Sequence, residues 1–174
     1  MLKLYETLTI IYMVIRMGER KANRLPTYDY SKNGAYFVTI CTQDRKHSLA
    51  EIVGDGFPVP KLPGRVAEEM IRQIPIKYPG VIVDKYVVMP DHIHLLLRMT
   101  GTGNPSPTTL GNVVGWYKYQ TTKVVNQAES IQGMRIFQRS YYDHVIRNQR
   151  DYDEIWEYIE NNPKAWVIKK QGSK

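Results

Sequence analysis

The chain contains one cysteine, only three phenylalanines and no apolar run long enough to span a membrane. The single cysteine, Cys41, excludes an internal disulfide and is typical of a reducing cytoplasm. The apolar stretch at residues 8–15 is too short to cross a bilayer, and no small-residue cleavage site of a signal peptide follows it. Internal repeats and low-complexity tracts are also missing. We therefore expect a cytoplasmic protein without a membrane partner.

The chain is rich in positively charged residues and in tyrosine. Its 174 residues are enough for one domain with a full core, and too few for two ordinary domains. Lys and Arg number 24 against 17 Asp and Glu, giving a net charge of +7. This excess favours a polyanionic partner such as nucleic acid, and hence association with the nucleoid. The 13 tyrosines suit stacking on bases, although half-buried strand positions also use tyrosine.

The first sixteen residues differ in character from the segment that follows them. A polar, basic segment begins at Met17-Gly18 and could itself be a translational start. Residues 1–16 are therefore expected to be an N-terminal extension outside the functional domain, with an extra helix or edge strand as the alternative. We predict one domain over residues 17–174.

The tripeptide His92-Ile93-His94 is the most informative motif. The β-branched run at 81–88 predicts a strand and Pro90-Asp91 supplies turn chemistry, so this region predicts a hairpin. Side chains two residues apart on a strand share a face, which brings both imidazoles together. Two convergent imidazoles could hold one cation, or the histidines could be structural. Asp91 is expected to face away, as a turn former.

The remaining segments alternate between strand and helix patterns. A strand is expected at 34–43, and a strand or an extended connection at 136–146. Helices are expected at 65–74, from 108 or 109 onward and at 151–162, with Pro75 and Pro163 ending two of them. The stretch at 54–64, rich in glycine and proline, predicts a loop with at most a short strand. Cys41, inside the first strand, is expected to be a buried structural thiol. The order β-α-β-β-α-β-α predicts an α+β fold, a ferredoxin-like or RRM-like antiparallel sheet with helices packed on it.

The last predicted helix carries an apolar stripe with a polar ridge beside it. Tyr158 lies at the flank of the stripe, with Glu154 and Asn162 one turn before and after it. The helix pattern alone favours a half-buried tyrosine with its hydroxyl in water. Because Asn162 precedes Pro163, ideal helix geometry does not fix its side-chain direction. The residues of the stripe, expected in the core, are Tyr152, Ile155, Trp156 and Ile159.

Two motifs together resemble the signatures of a known family. They are Val87-Val88-Met89-Pro90-Asp91-His92-Ile93-His94 and Tyr158-Ile159-Glu160-Asn161-Asn162-Pro163. Both are similar to motifs of the REP-associated tyrosine transposases, relatives of the small insertion-sequence transposases with an H-U-H motif and one tyrosine. The stretches 28–31, 34–40 and 141–148 support the resemblance, which covers residues 17–168.

The resemblance implies a metal-dependent nuclease and strand transferase for single-stranded DNA, on an HUH nuclease fold. Tyr158 would attack phosphorus and leave a 5′-phosphotyrosine and a free 3′-OH. His92, His94 and Asn162 would bind Mg²⁺ or Mn²⁺, which polarises the scissile phosphate. Glu154 could assist proton removal from Tyr158, but a solvated carboxylate is the simpler interpretation of its position.

The implied partner is single-stranded hairpin DNA from palindromic repeats. A monomer is expected, with a dimer as the alternative. Phosphate contacts by basic side chains would position the DNA without specifying its sequence, and a solvated surface position is the alternative for each such residue. The residues predicted to bind DNA are Arg20, Lys21, Arg24, Tyr28, Lys118, Lys123, Arg139 and Arg147.

Three other functions stay open at this point. A protein of the same fold could bind nucleic acid without cleaving it. An RRM-like protein could bind RNA on its sheet, although the run at 36–38 lacks the glycine-rich RNP pattern. A non-haem iron site would need a third, acidic ligand, which Glu154 could supply only if its helix docked differently. Of the other histidines, His144 is expected to be structural or a phosphate contact, and His47 an exposed loop residue.

Overall fold

The computed structural model describes residues 33–100 and 108–171. The proposed boundary at residue 17 lies outside these residues, as do Arg20, Lys21, Arg24 and Tyr28. No helix in the two described ranges has the length and apolarity needed to cross a membrane. The elements are β1 (Gly34–Cys41), β2 (Ala50–Val53), β3 (Phe57–Pro60), α1 (Leu62–Lys77), β4 (Val81–Val88), β5 (His92–Met99), α2 (Leu110–Ala128), β6 (Tyr142–Ile146) and α3 (Gln149–Gln171).

Four strands form one antiparallel sheet in the order β4-β5-β1-β6, and β2 and β3 pair separately as a short hairpin. Apart from that hairpin, the element order is the predicted β-α-β-β-α-β-α and the strand order is that of a ferredoxin-like fold. The predicted α+β fold class is therefore confirmed. The two central strands, β5 and β1, position the two histidines, because their register pairs Cys41 with His92 and Thr39 with His94.

The two faces of the sheet are covered by different helices. Tyr36 belongs to the main core with α1 and α2, whereas its neighbour Phe37 belongs to a second, smaller cluster, as strand alternation requires. In that cluster Phe37 meets Ile155 and Ile159 of α3, both of which are fully buried. Burying each isoleucine stabilises the docked helix by about 1.5–3 kcal/mol. The face beneath α3 is the one that carries the candidate site.

The prediction that two helices end at prolines is wrong. Pro75 lies inside α1, and Pro163 lies inside α3, which continues to Gln171. A proline inside a helix costs about 3 kcal/mol, which the burial of Ile155 and Ile159 offsets. Packing also holds α3 beyond this point, because the β2–β3 turn rests on its backbone. At Gly56 (φ +117°) an added Cβ would lie 2.9 Å from the backbone nitrogen of Lys164, so this close approach requires glycine.

The fold refines two predicted segments and corrects the place of one side chain. The stretch at 54–64 contains the short strand that the prediction allowed, but also the start of α1; the stretch at 136–146, predicted to be a strand or an extended connection, is a strand over Tyr142–Ile146. Trp156 is 36% exposed rather than in the core, and the Nζ atom of Lys85 lies 4.3 Å from its ring centroid. The prediction for Cys41 is confirmed, since the thiol is buried and burial raises its pKa.

Candidate active site

His92 and His94 project together from β5 toward α3. Their ring centroids are 4.5 Å apart, so the prediction that both imidazoles share one face is confirmed. His94 is 2% exposed and His92 9%. Burial, together with the electrostatic effect of the neighbouring His92 and Arg45, holds the pKa of His94 well below its ordinary value. This imidazole is therefore neutral at physiological pH, the form that can donate a lone pair.

Each imidazole is held on its Nδ1 side by an oxygen atom. The Nδ1 atom of His94 is 2.9 Å from Oγ1 of Thr39, and that of His92 is 2.5 Å from Oδ1 of Asp91. The Nε2 atoms are therefore the ones left to accept a hydrogen bond or to bind a cation. Oxygen partners of this kind fix the orientation and tautomer of histidines that bind metals.

Asp91 was expected to face away from the histidines, and this prediction is wrong. The residue precedes β5, so strand alternation does not apply to it, and its carboxylate turns back onto His92. The same carboxylate contacts Nη1 of Arg45 at 3.4 Å. Burial acts to raise the pKa of Asp91, but the hydrogen bond to His92 and the nearby positive charges outweigh it and lower that pKa. Asp91 is a site residue that the sequence interpretation missed.

Tyr158 reaches the same pair of histidines from α3. Its hydroxyl is 3.4 Å from Nε2 of His94, and its ring meets the ring of Phe37 edge-on, at 5.8 Å and 89°. Burial raises the pKa of Tyr158, whereas a hydrogen bond with the side chain of Asn162 lowers it. The hydroxyl is therefore engaged by protein groups, in contrast to the solvent-facing hydroxyl that the helix pattern favoured. Helix α3 thus brings Tyr158 to His94, with Asn162 hydrogen-bonded to Tyr158.

The carboxylate of Glu154 is engaged elsewhere. Its Oε1 atom is 2.9 Å from Nε of Arg150, one turn earlier on the helix surface. Within residues 33–100 and 108–171, no group of three or more His, Cys, Asp or Glu side chains could hold a metal ion. For this part of the chain, the alternative prediction of an iron site with two histidines and one carboxylate is therefore wrong. A cation bound to His92 and His94 would need a different third ligand.

The two remaining histidines have different surroundings. The Nε2 atom of His144 is 2.9 Å from a carboxylate oxygen of Asp151, which is a structural pairing. His47 is exposed, as expected, and its ring centroid is 5.4 Å from that of Trp166. Trp166 in turn lies 6.1 Å from the ring of His92. The sequence interpretation missed Trp166 because it ended the last helix at Pro163.

The candidate DNA-binding residues on the described surface divide into two groups. Lys123, Arg139 and Arg147 are exposed. Lys118 is instead half-buried, and its Nζ atom donates to the backbone carbonyls of residues 138, 139 and 140 at 2.5, 2.9 and 3.3 Å. An ammonium group has three protons, so these contacts leave none for a phosphate. The position of Lys118 argues for a structural role.

The fold and sequence both have known counterparts. A solved structure of a REP-associated tyrosine transposase bound to a REP hairpin has the same fold, with a TM-score of 0.57 and 21% identity. The match covers 80% of this chain and 72% of that one.

Relatives from Haemophilus influenzae match most of the sequence. One, an uncharacterized protein, is 30% identical over 164 residues, covering 84% of this chain and 89% of the relative. Another, whose name assigns it to the REP-associated tyrosine transposases, is 26% identical over 140 residues, covering 78% and 73%. The family model described as "Transposase IS200 like" matches residues 31–162. The resemblance drawn from the motifs is confirmed, and the chain belongs to the IS200-like transposase family.

Proposed function

We propose that this protein cleaves and rejoins single-stranded DNA at hairpin-forming palindromic repeats, with Tyr158 as its nucleophile. One observation carries the proposal: in a chain of a transposase family, the Tyr158 hydroxyl lies 3.4 Å from Nε2 of His94, beside His92. The Tyr158 hydroxyl would serve as the nucleophile, and the two imidazoles and the Asn162 amide would hold the metal ion that assists it.

The residues present fit a divalent cation. His92 and His94 would hold it through Nε2, because Asp91 and Thr39 occupy the opposite nitrogens. Asn162, which already hydrogen-bonds Tyr158, would add an amide oxygen. When bound, Mg²⁺ or Mn²⁺ would polarise the scissile phosphate and stabilise the charge that develops on it.

The proposed reaction exchanges one phosphate ester for another. The Tyr158 oxygen forms a bond to phosphorus while the bond from phosphorus to the 3′ oxygen breaks. The phenol proton is released, the leaving oxygen is protonated, and the products are a 5′-phosphotyrosine and a free 3′-OH. Attack by another 3′-OH on the phosphotyrosine reverses the step and rejoins the strand, because the ester energy is kept in the covalent intermediate.

The protein orients the nucleophile rather than pre-ionising it. Burial raises the pKa of Tyr158, so the phenol is protonated before the DNA binds. The edge of Phe37 restrains the ring, and His94 and Asn162 fix the direction of the hydroxyl. Holding the reacting oxygen in one position reduces the entropy that the attack must lose.

Exposed basic residues would position the DNA strand. Lys123, Arg139 and Arg147 are free of the backbone contacts that occupy Lys118, and Arg147 lines an open cleft with Arg98 and Tyr152 at the start of α3. The fold neighbour bound to a REP hairpin supports hairpin DNA as the partner. We also propose that the protein acts as a monomer at the nucleoid and that its functional domain covers residues 17–174. Further DNA contacts are proposed for Arg20, Lys21, Arg24 and Tyr28.

The test is a covalent-adduct assay. The protein is incubated with single-stranded oligonucleotides carrying palindromic repeats from its own genome, with Mg²⁺, Mn²⁺ or EDTA, and resolved on a denaturing gel. We expect a metal-dependent adduct that is lost in Tyr158→Phe and kept in Tyr119→Phe, a control at an exposed tyrosine of α2. Binding without any adduct, with either metal and across several hairpins, would favour a non-cleaving DNA-binding protein instead.

A further inference from the structure

The segment between β1 and β2 is fixed beside the candidate metal site. At its start the backbone nitrogen of Thr42 donates to the carbonyl of Asp91 at 2.9 Å. At its end the nitrogen of Leu49 donates to the carbonyl of Pro90 at 3.1 Å. The turn that leads into His92 therefore holds both ends of this segment, and the residues between them are presented at the edge of the site.

A row of aromatic rings leads from the site to the surface. The ring centroid of Trp166 lies 6.1 Å from that of His92 at an interplanar angle of 41°, and 5.4 Å from that of His47 at 66°. Trp166 is half-buried and His47 is exposed. Trp166 lies one helical turn after Asn162, so the row begins where the scissile phosphate would bind. Asp91 already orients the imidazole of His92, so Trp166 and His47 are not needed for that purpose.

Positive charge borders this aromatic row. Arg45 and Lys46 precede His47 in the loop, and Nζ of Lys61 donates to the carbonyl of His47 at 3.0 Å. All three basic side chains are exposed, and the buried carboxylate of Asp91 is already paired with Arg45 and His92. Unpaired DNA strands are bound by this combination of stacking rings and cationic groups.

We infer that Trp166 and His47 form a stacking platform for the unpaired bases next to the cleaved phosphate, with Arg45, Lys46 and Lys61 contacting their phosphates. The inference rests on the proposed function and assigns a subsite to it. Every base has a flat π face, so the platform would bind the unpaired bases beside the hairpin, here called the flank, whatever their sequence. Other surfaces of the protein would recognise the hairpin itself. Trp166 is a binding residue here and takes no part in the bond exchange.

The experiment measures stacking directly in a variant that cannot cleave. Tyr158→Phe protein is mixed with hairpin oligonucleotides that carry 2-aminopurine at successive positions of the unpaired flank, and fluorescence quenching is followed. We expect quenching at positions beside the cleavage point, abolished by adding Trp166→Ala and largely retained with Trp166→Phe. Affinity for the flanked hairpin should fall about tenfold or more in Trp166→Ala, while affinity for a hairpin without a flank is unchanged.

A matched control separates stacking from damage to the fold. Trp156→Ala removes an exposed tryptophan from the same helix whose ring contacts Lys85 instead of the site, and it should keep both quenching and affinity. Equal losses on flanked and unflanked hairpins, or no loss in Trp166→Ala, would overturn the inference. If the wild type forms no adduct but the quenching still depends on Trp166, the proposed cleavage fails and the platform stands.

Discussion

Asp91 holds the imidazole of the next residue, His92, with its Oδ1 atom 2.5 Å from Nδ1 of the ring. Asp91 is 8% exposed and its carboxylate also accepts a hydrogen bond from Nη1 of Arg45 at 3.4 Å, so its position is fixed from two sides. A carboxylate behind a histidine ligand sets the ring tautomer and makes the opposite nitrogen a better donor. We therefore regard Asp91 as a positioning residue of the candidate metal site.

Replacing Asp91 with asparagine should weaken metal use without unfolding the protein. The amide keeps the volume but loses the charge that makes Nε2 of His92 a good donor, so the Mn²⁺ concentration for half-maximal adduct formation should rise about 10–100-fold. Asp151→Asn is the matched control, because it makes the same change beside His144, a histidine outside the candidate metal site, and should leave the Mn²⁺ requirement unchanged. An Mn²⁺ requirement that does not change in Asp91→Asn would contradict the positioning role.

Thr39→Val should reduce stability through a single lost contact. Thr39 is 4% exposed and its Oγ1 atom is 2.9 Å from Nδ1 of His94. Valine has nearly the same shape but leaves this buried ring nitrogen unpaired, which should lower the free energy of unfolding by about 1–3 kcal/mol. Urea unfolding measures the change. Thr100→Val, at an exposed strand end, should alter stability by less than about 0.5 kcal/mol, and similar losses in both variants would argue against the contact.

Local geometry accounts for the parts of the site that sequence could predict. His92 and His94 share a face because side chains alternate along any strand, and Tyr158 and Asn162 share a ridge because they lie one helical turn apart. The orientation of Asp91 and the place of Trp166 depend on tertiary packing instead. Asp91 lies in a turn where no periodicity applies, and Trp166 is reached only because packing at Gly56 carries α3 past Pro163.

Mn²⁺ should support adduct formation at lower concentrations than Mg²⁺. Two of the three proposed protein ligands are imidazole nitrogens, and Mg²⁺ prefers oxygen ligands and gives up its waters reluctantly. Adduct yield is measured over a titration of each metal at constant ionic strength, with EDTA as the blank. Equal or greater potency of Mg²⁺ would mean that the two histidines do not dominate the ligand set.

Lys118 and Lys123, on the same helix, should respond differently to substitution. Lys118→Ala removes the donor to three backbone carbonyls and should lower the free energy of unfolding by about 1–3 kcal/mol. Lys123 is exposed, so Lys123→Ala should change stability by less than about 0.5 kcal/mol. If Lys123 contacts a phosphate, its loss should weaken binding to all hairpins alike and reduce the salt dependence. Unchanged stability in Lys118→Ala would contradict its structural role.

The most direct test of the account is to identify the residue that carries the DNA. The covalent adduct formed with a hairpin oligonucleotide and Mn²⁺ is digested with protease and nuclease, and the nucleotide-bearing peptide is sequenced by mass spectrometry. The account predicts a 5′-phosphate ester on Tyr158, the tyrosine whose hydroxyl faces His94. A phosphate ester on Tyr141 or Tyr142 instead would contradict it, because Tyr158 would then not be the nucleophile.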